Sequence, residues 1–150
     1  RVIDGLAITI NDMLIFNIDE IDNFKDQRIS VNFYFFQTKT TENFSDTEIG
    51  SFLDTIIDFF SEKPTYNTNI EQYNNYITIY KGLLEIIATL KEVNLYCYYI
   101  SLGQKQESKT TIDDTINNKK KELKNYNFFG NIYINLIDKE TLISKHKKAL

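Results

Sequence analysis

Three side chains combine the types that phosphate-ester chemistry needs: Asp4, Gln37 and Lys39. Asp4 precedes Gly5 in an otherwise apolar stretch, and Gln37 and Lys39 alternate at the end of the most hydrophobic strand pattern in the chain. Side chains two residues apart on a strand share a face, so Gln37 and Lys39 point the same way. A lysine in that position is costly unless its ammonium reaches water or a partner. A carboxylate can hold Mg2+, and an oxygen ligand beside it can complete the coordination. A lysine can then orient or deprotonate an attacking water and neutralise developing phosphate charge. An acid on one strand, with a ligand and a lysine two residues apart on an adjacent strand, supplies these parts. The same residues also have simpler readings, with Asp-Gly as a turn or bulge and Lys39 as a solvated strand end.

The elements that must position these groups can be read from periodicity. Val2 to Ile10 reads as a strand, and Asn11-Asp12 as a turn into a second strand from Met13 to Ile18. Residues 19–28 are polar and read as a loop. Ile29 to Lys39 is the clearest strand, with Phe33, Phe35, Gln37 and Lys39 on one face and Asn32, Tyr34, Phe36 and Thr38 on the other. Ile49, Phe52, Leu53, Ile56, Ile57 and Phe60 form a helical apolar stripe. Ser45 and Glu48 have capping-box spacing at its start, and Pro64 follows its end. A second helix is expected from about Ile70 to Lys91, with Thr68 and Glu71 as its box and Tyr73, Tyr76 and Tyr80 turned to the core. Val93 to Leu102 reads as a strand covered on both faces, ended by Gly103. A helix over Thr111–Lys124, a strand over Ile132–Ile137 and a short helix over 139–148 complete the chain. The predicted order is β-β-β-α-α-β-α-β-α, an α/β fold with a mixed sheet and helices packed on its faces.

Composition sets outer bounds. The 150 residues, 42% hydrophobic and 14% aromatic, suffice for one domain spanning 1–150 with a full core. The longest apolar run, Leu95 to Ile100, is too short to span a bilayer, so no membrane partner is expected. One cysteine, Cys97, excludes an internal disulfide and fits a reducing, cytoplasmic compartment. A net charge of −4 excludes indiscriminate coating of nucleic acid, but the charge is polarised. Residues 1–60 carry 4 basic and 11 acidic side chains, whereas residues 101–150 carry 10 basic and 6 acidic. One acidic and one basic surface can therefore coexist.

Two segments carry a family resemblance. Ile3-Asp4-Gly5-Leu6-Ala7-Ile8 resembles the I-D-G-I/V-A-I strand of the PD-(D/E)xK nuclease superfamily, in its Mrr-like branch. Phe35-Phe36-Gln37-Thr38-Lys39-Thr40 resembles that branch's F-I-Q-x-K-T/S motif, in which Gln replaces the usual acid. The chain is most similar to the amino-terminal region of the abortive-infection phage-resistance (AIPR) family. There the Q-x-K-T strand leads into a helix like Glu48-Ile49-Gly50-Ser51-Phe52 through Asp58-Phe59-Phe60, and a later strand resembles Leu95 to Gly103.

The resemblance implies a restriction-endonuclease-like core and an Mg2+- or Mn2+-dependent endonuclease that hydrolyses nucleic-acid phosphodiester bonds in antiphage defence. Carried over residue by residue, Asp4 is the metal-binding acid and Lys39 the catalytic lysine. Gln37 takes the position of the second acid, and the backbone carbonyl of Thr38 is a further metal ligand. The implied partners are nucleic acid, DNA in preference to RNA, and the remaining domains of a longer protein. Because the chain opens on Arg1 within a structured pattern, an upstream helix is expected to precede it. The alternative is a catalytically degenerate nuclease-fold module for nucleic-acid sensing or protein contacts, and a homo-oligomer is a further option.

Other candidates have plainer readings beside functional ones. Lys119, Lys120, Lys121 and Lys124, with Lys145, Lys147 and Lys148, can contact phosphates or simply line a solvated helix face. His146 sits among those last lysines and is not expected to be catalytic. Glu48 is explained by its capping position, and Asp19, Glu20 and Asp22 by a polar loop. Tyr73, Tyr76 and Tyr80 read as core rather than a base-stacking platform, and Cys97 as a small buried apolar residue.

Overall fold

The computed structural model describes residues 3–40, 43–102, 104–105, 109–138 and 143–144. Strand β1 (Gly5–Ile10) turns through Asn11 and Asp12 into a two-residue strand β2 (Met13–Leu14). Both turn residues adopt positive φ, 49° and 67°, a left-handed conformation that Asn and Asp tolerate and that matches the twist of a hairpin. The Asn11 side chain also accepts from the Ser30 amide at 2.9 Å, which pins the turn to the next strand.

The second strand is shorter than expected, and residues 19–28 are not all loop. A 3-10 helix runs from Ile18 to Phe24. Asn17 accepts from the Asp19 amide while the Glu20 carboxylate accepts from the Asn17 amide, a reciprocal cap that stops β2 early. Strand β3 (Ile29–Lys39) follows with the expected bounds. A two-residue strand β4 (Asn43–Phe44) leads into helix α1 (Asp46–Phe59), with Ser45 Oγ accepting from the Glu48 amide at 3.1 Å. Helix α2 (Glu71–Glu85) has no side-chain cap at Ile70, so the Thr68 box does not form. It also ends earlier than its apolar pattern, because a short 3-10 turn at Ile87–Thr89 leads directly into strand β5 (Leu90–Ser101). Strand β6 (Gln104–Lys105) pairs with β4, helix α3 spans Lys109–Lys124, and strand β7 covers Asn131–Ile137. Gly103 and most of the expected 139–148 helix lie outside the described residues; 143–144 are helical.

The main sheet has the order β2-β1-β3-β5-β7. Strands β1 and β3 are antiparallel, whereas β3, β5 and β7 are mutually parallel. The fold is thus α/β with a five-stranded mixed sheet. Two crossovers that step the same way across a sheet, each right-handed, deliver their helices to the same face. That face carries Ile8, Ile10, Phe33, Phe35, Leu95 and Cys97, all fully buried. Phe33 packs edge-on to Phe60 (5.1 Å between centroids, 84°) and Tyr80 (6.0 Å), and Phe60 to Tyr80 (4.9 Å, 88°). Such T-shaped pairs contribute about 0.5–1.5 kcal/mol each beyond area burial.

The opposite face corrects the expectation of cover on both sides. It presents only partly buried rings in cross-strand rows, Tyr34–Tyr96–Tyr133 at 5.0 Å spacings and Phe36–Tyr98 at 5.2 Å, nearly parallel. Beneath them Asn94 donates to Asn32 and Asn131 donates to Asn94, both at 3.0 Å. The apolar run in β5 is therefore two different surfaces: Tyr99 enters the core, while Tyr96 and Tyr98 stack in the open.

Two outcomes follow from this one-sided core. Phe33→Ala should lose about 3–5 kcal/mol in urea unfolding, and Tyr133→Ala less than about 1.5 kcal/mol; equal losses contradict a core on one face. Burial, with Tyr126 nearby, pushes the Tyr80 phenol from its ordinary 10.0 up to about 12, and burial also raises Tyr73 and Cys97. Stability is then complete below pH 10, where both states keep the proton, and is lost as pH rises from about 10 towards 12, where the unfolded chain ionises first. Loss of far-ultraviolet ellipticity across that window checks the assignment, and an unchanged fold through pH 12 contradicts it.

Candidate functional site

The carboxyl end of β3 meets the start of β1. Pairing of Gly5 with Phe36 is the last ladder step, and Thr38, two residues further along β3, has an amide that no backbone carbonyl of β1 reaches. Asp4 takes over. Its backbone amide donates to the Phe36 carbonyl at 3.0 Å, and its Oδ2 accepts from the Thr38 amide at 2.7 Å and the Thr38 hydroxyl at 3.1 Å. A carboxylate thus completes the sheet where backbone pairing stops, which fixes its position without burying it. Its other oxygen makes no hydrogen bond among the described residues. Gly5 leaves room beside it, since a Cβ there would lie 3.2 Å from the Phe36 ring, which would have to give by a few tenths of an ångström.

Thr38 therefore enters the site through its amide and hydroxyl, both directed to Asp4. Gln37 and Lys39 flank it on β3, both half-buried, on the face that the helices cover. Their register partners on β5 are Tyr99 and Ser101, both buried. The Lys39 ammonium has no ion pair or hydrogen bond among the described residues, so it sits at the rim as a cation without a fixed counter-charge.

One residue comes to this end of the sheet that spacing alone explained away. The Glu48 carboxylate does not close a capping box; it accepts from the Tyr99 hydroxyl at 3.3 Å. Burial and then the Glu48 charge raise the Tyr99 phenol, so that hydroxyl stays a donor. Since Tyr99 is paired with Gln37, α1 delivers a second carboxylate to the level of Gln37. Nothing in the local sequence signals this, because the two residues are 51 positions apart.

The lysines of α3 are placed elsewhere. Helix α3 runs back from the carboxyl end of β5 to the amino end of β7, so its last turn lies at the opposite end of the sheet from Asp4. Lys119 is ion-paired to Asp54 of α1 at 2.7 Å. Lys120 is half-buried, and Lys121 and Lys124 lie exposed in the final turn, where positive charge complements the helix dipole. Lys145, His146, Lys147 and Lys148 lie outside the described residues. Glu20 is used in the cap described above, and Tyr73, Tyr76, Tyr80 and Cys97 are buried in the core.

Compared with family models, curated proteins and solved structures, the chain matches none. Among the described residues no helix is long and apolar enough to cross a membrane.

If Asp4 is the acceptor that closes the sheet, Asp4→Ala strands the Thr38 amide and should cost about 1–3 kcal/mol. Asp4→Asn, which keeps an acceptor oxygen, should cost less than half of that. Hydrogen exchange at the Thr38 amide checks the assignment, with faster exchange expected in Asp4→Ala.

Proposed function

We propose that the carboxyl end of β3 is the catalytic centre of a metal-dependent nuclease domain, of PD-(D/E)xK type, acting on nucleic-acid phosphodiester bonds in antiphage defence. The observation that carries this reading is the Asp4–Thr38 pair. It holds a carboxylate, with one oxygen left over, at the point on β3 flanked by Gln37 and Lys39. The family resemblance of the two strands supports the same assignment.

The donor chemistry fits Mg2+ or Mn2+. A magnesium ion takes one or two carboxylates, fills other positions with water and completes its shell with substrate phosphate oxygens. Asp4 would hold it through the oxygen that Thr38 does not use, with the Gln37 amide oxygen and the Thr38 carbonyl as neutral ligands. When bound, such an ion polarises the phosphoryl group and makes its water more acidic. Thr38 orients Asp4 through two hydrogen bonds. Lys39 aligns the attacking water and balances the charge that grows on the phosphate oxygens. Nucleic acid, DNA in preference to RNA, is the substrate in this reading, and the α3 lysines are contacts for phosphates remote from the cleaved bond.

One observation favours a second reading. Among the described residues no group of three or more His, Cys, Asp or Glu side chains gathers to hold a metal ion. A module of this fold kept for nucleic-acid sensing or protein contacts would need no such group.

Cleavage assays separate the two. The chain and its Lys39→Ala and Asp4→Asn variants are incubated with single- and double-stranded DNA and RNA in Mg2+ or Mn2+. A loss of about 10²–10³-fold in rate is expected for Lys39→Ala, the range for removing one transition-state stabilising group. Equal cleavage by all three proteins rejects the catalytic assignment. No cleavage by any of them, together with no Mn2+ binding by calorimetry that Asp4→Asn abolishes, supports the sensing module.

A further inference from the structure

A cavity of about 240 Å³ opens beside Asp4, between the start of β1 and the start of α2. Leu6, Ile70, Tyr73 and Tyr76 give it apolar walls, and Asn67 and Gln72 bring side-chain amides to it. Tyr73 is only 7% exposed, and its hydroxyl is closed off from solvent beside the Asn67 side chain, so it is the ring that faces the cavity. The first turn of α2 borders the same space without a side-chain cap, and its unpaired amides add further donors. The Gln72 amide makes no hydrogen bond among the described residues and supplies both a donor and an acceptor.

These features restrict the occupant. The volume lies below the range of about 300–1,000 Å³ usual for drug-sized ligands, which limits the cavity to roughly one ring system. Asp4 on its wall disfavours an anion, and no second carboxylate lines it to retain a cation. What remains is a neutral, flat group with donors and acceptors along its edge and apolar faces, between tyrosine and aliphatic walls. Amide side chains beside aromatic rings are how unstacked bases are recognised.

We infer that this cavity receives one unpaired nucleobase of the strand whose phosphate is handled at Asp4. The identity of the ligand rests on the nuclease reading, since a phosphate at Asp4 brings the adjoining nucleoside to the mouth of the cavity. The site thereby selects single-stranded or locally opened substrates, with the Asn67 and Gln72 amides reading the base edge and the Tyr73 and Tyr76 rings beside its face.

The test uses the isotope-labelled full chain and the free nucleosides adenosine, guanosine, cytidine, uridine and thymidine, followed by nuclear magnetic resonance. At least one nucleoside should shift the side-chain amide signals of Asn67 and Gln72 and the ring signals of Tyr73. Gln72→Leu, an exposed change on the first turn of α2, should weaken that binding at least threefold. Adding Asn67→Gly should bring the loss to at least tenfold; glycine retains the positive φ of 57° that Asn67 adopts. Lys91→Ala, an exposed change at the start of β5 and so at the opposite end of the sheet, should bind nucleoside as the parent chain does. Absence of shifts at Asn67, Gln72 and Tyr73 with all five nucleosides overturns the inference, as does undiminished binding by the double variant. A chain that cleaves nucleic acid but binds no nucleoside rejects the cavity assignment alone. A chain that binds nucleoside there but never cleaves keeps the base site and rejects the catalytic reading.

Discussion

Parallel strands cannot be joined by a tight turn; each pair needs a crossover long enough to return the chain to the same end of the sheet. Three of the five strands here are parallel, and both crossovers step outward in the same direction from β3. Handedness then leaves a single solution, with α1, α2 and α3 over one face. The aromatic cluster around Phe33 and Phe60, the buried alternation of β3 and the exposure of the tyrosine rows all descend from that constraint. So does the location of the candidate site. Strand carboxyl ends in such sheets are where side chains from several elements converge, and Gln37, Lys39 and Ser101 all lie there.

Asp4 occupies the point where this parallel region meets the antiparallel hairpin. Its carboxylate does the work of a backbone carbonyl for Thr38 and keeps an oxygen that bonds to none of the described residues. A carboxylate anchored by two donors is held in one orientation without being buried, so it is preorganised and remains exposed. Lys39 complements it differently, as a half-buried cation whose head has no partner among the described residues.

Much of this was legible from residue order where periodicity is unambiguous. The eleven residues of β3 and its two faces follow from strict alternation, and α1 from its stripe and its Ser45 cap. The failures have identifiable physics. The polar run after Asn17 hides a helix whose signal is a cap of two side chains rather than an apolar period. The end of α2 is set by where β5 must begin, not by its own residues, which stay apolar through Ile86 and Ile87. In β5, tyrosine counts as apolar in a pattern, yet a ring can be stacked in the open as well as buried. At the site, Asp4, Gln37 and Lys39 were found by type and spacing. The Asp4–Thr38 bond and the reach of Glu48 to Tyr99 depend on register between distant segments, which no local pattern encodes.

The open face has a consequence for that register. Parallel strands displaced by two residues keep every side chain on its proper face, so the core alone discriminates weakly between neighbouring alignments. The asparagines on the other side do discriminate: displacement by two would set Asn94 against Tyr34 and break the amide chain, even though Tyr96 would still meet a ring in Phe36. Asn32, Asn94 and Asn131 therefore act as a gauge at one end of the sheet that determines which residues stand opposite one another at the other. The alignment of Gln37 with Tyr99, and through it the reach of Glu48, is measured out from three asparagines five strand positions away.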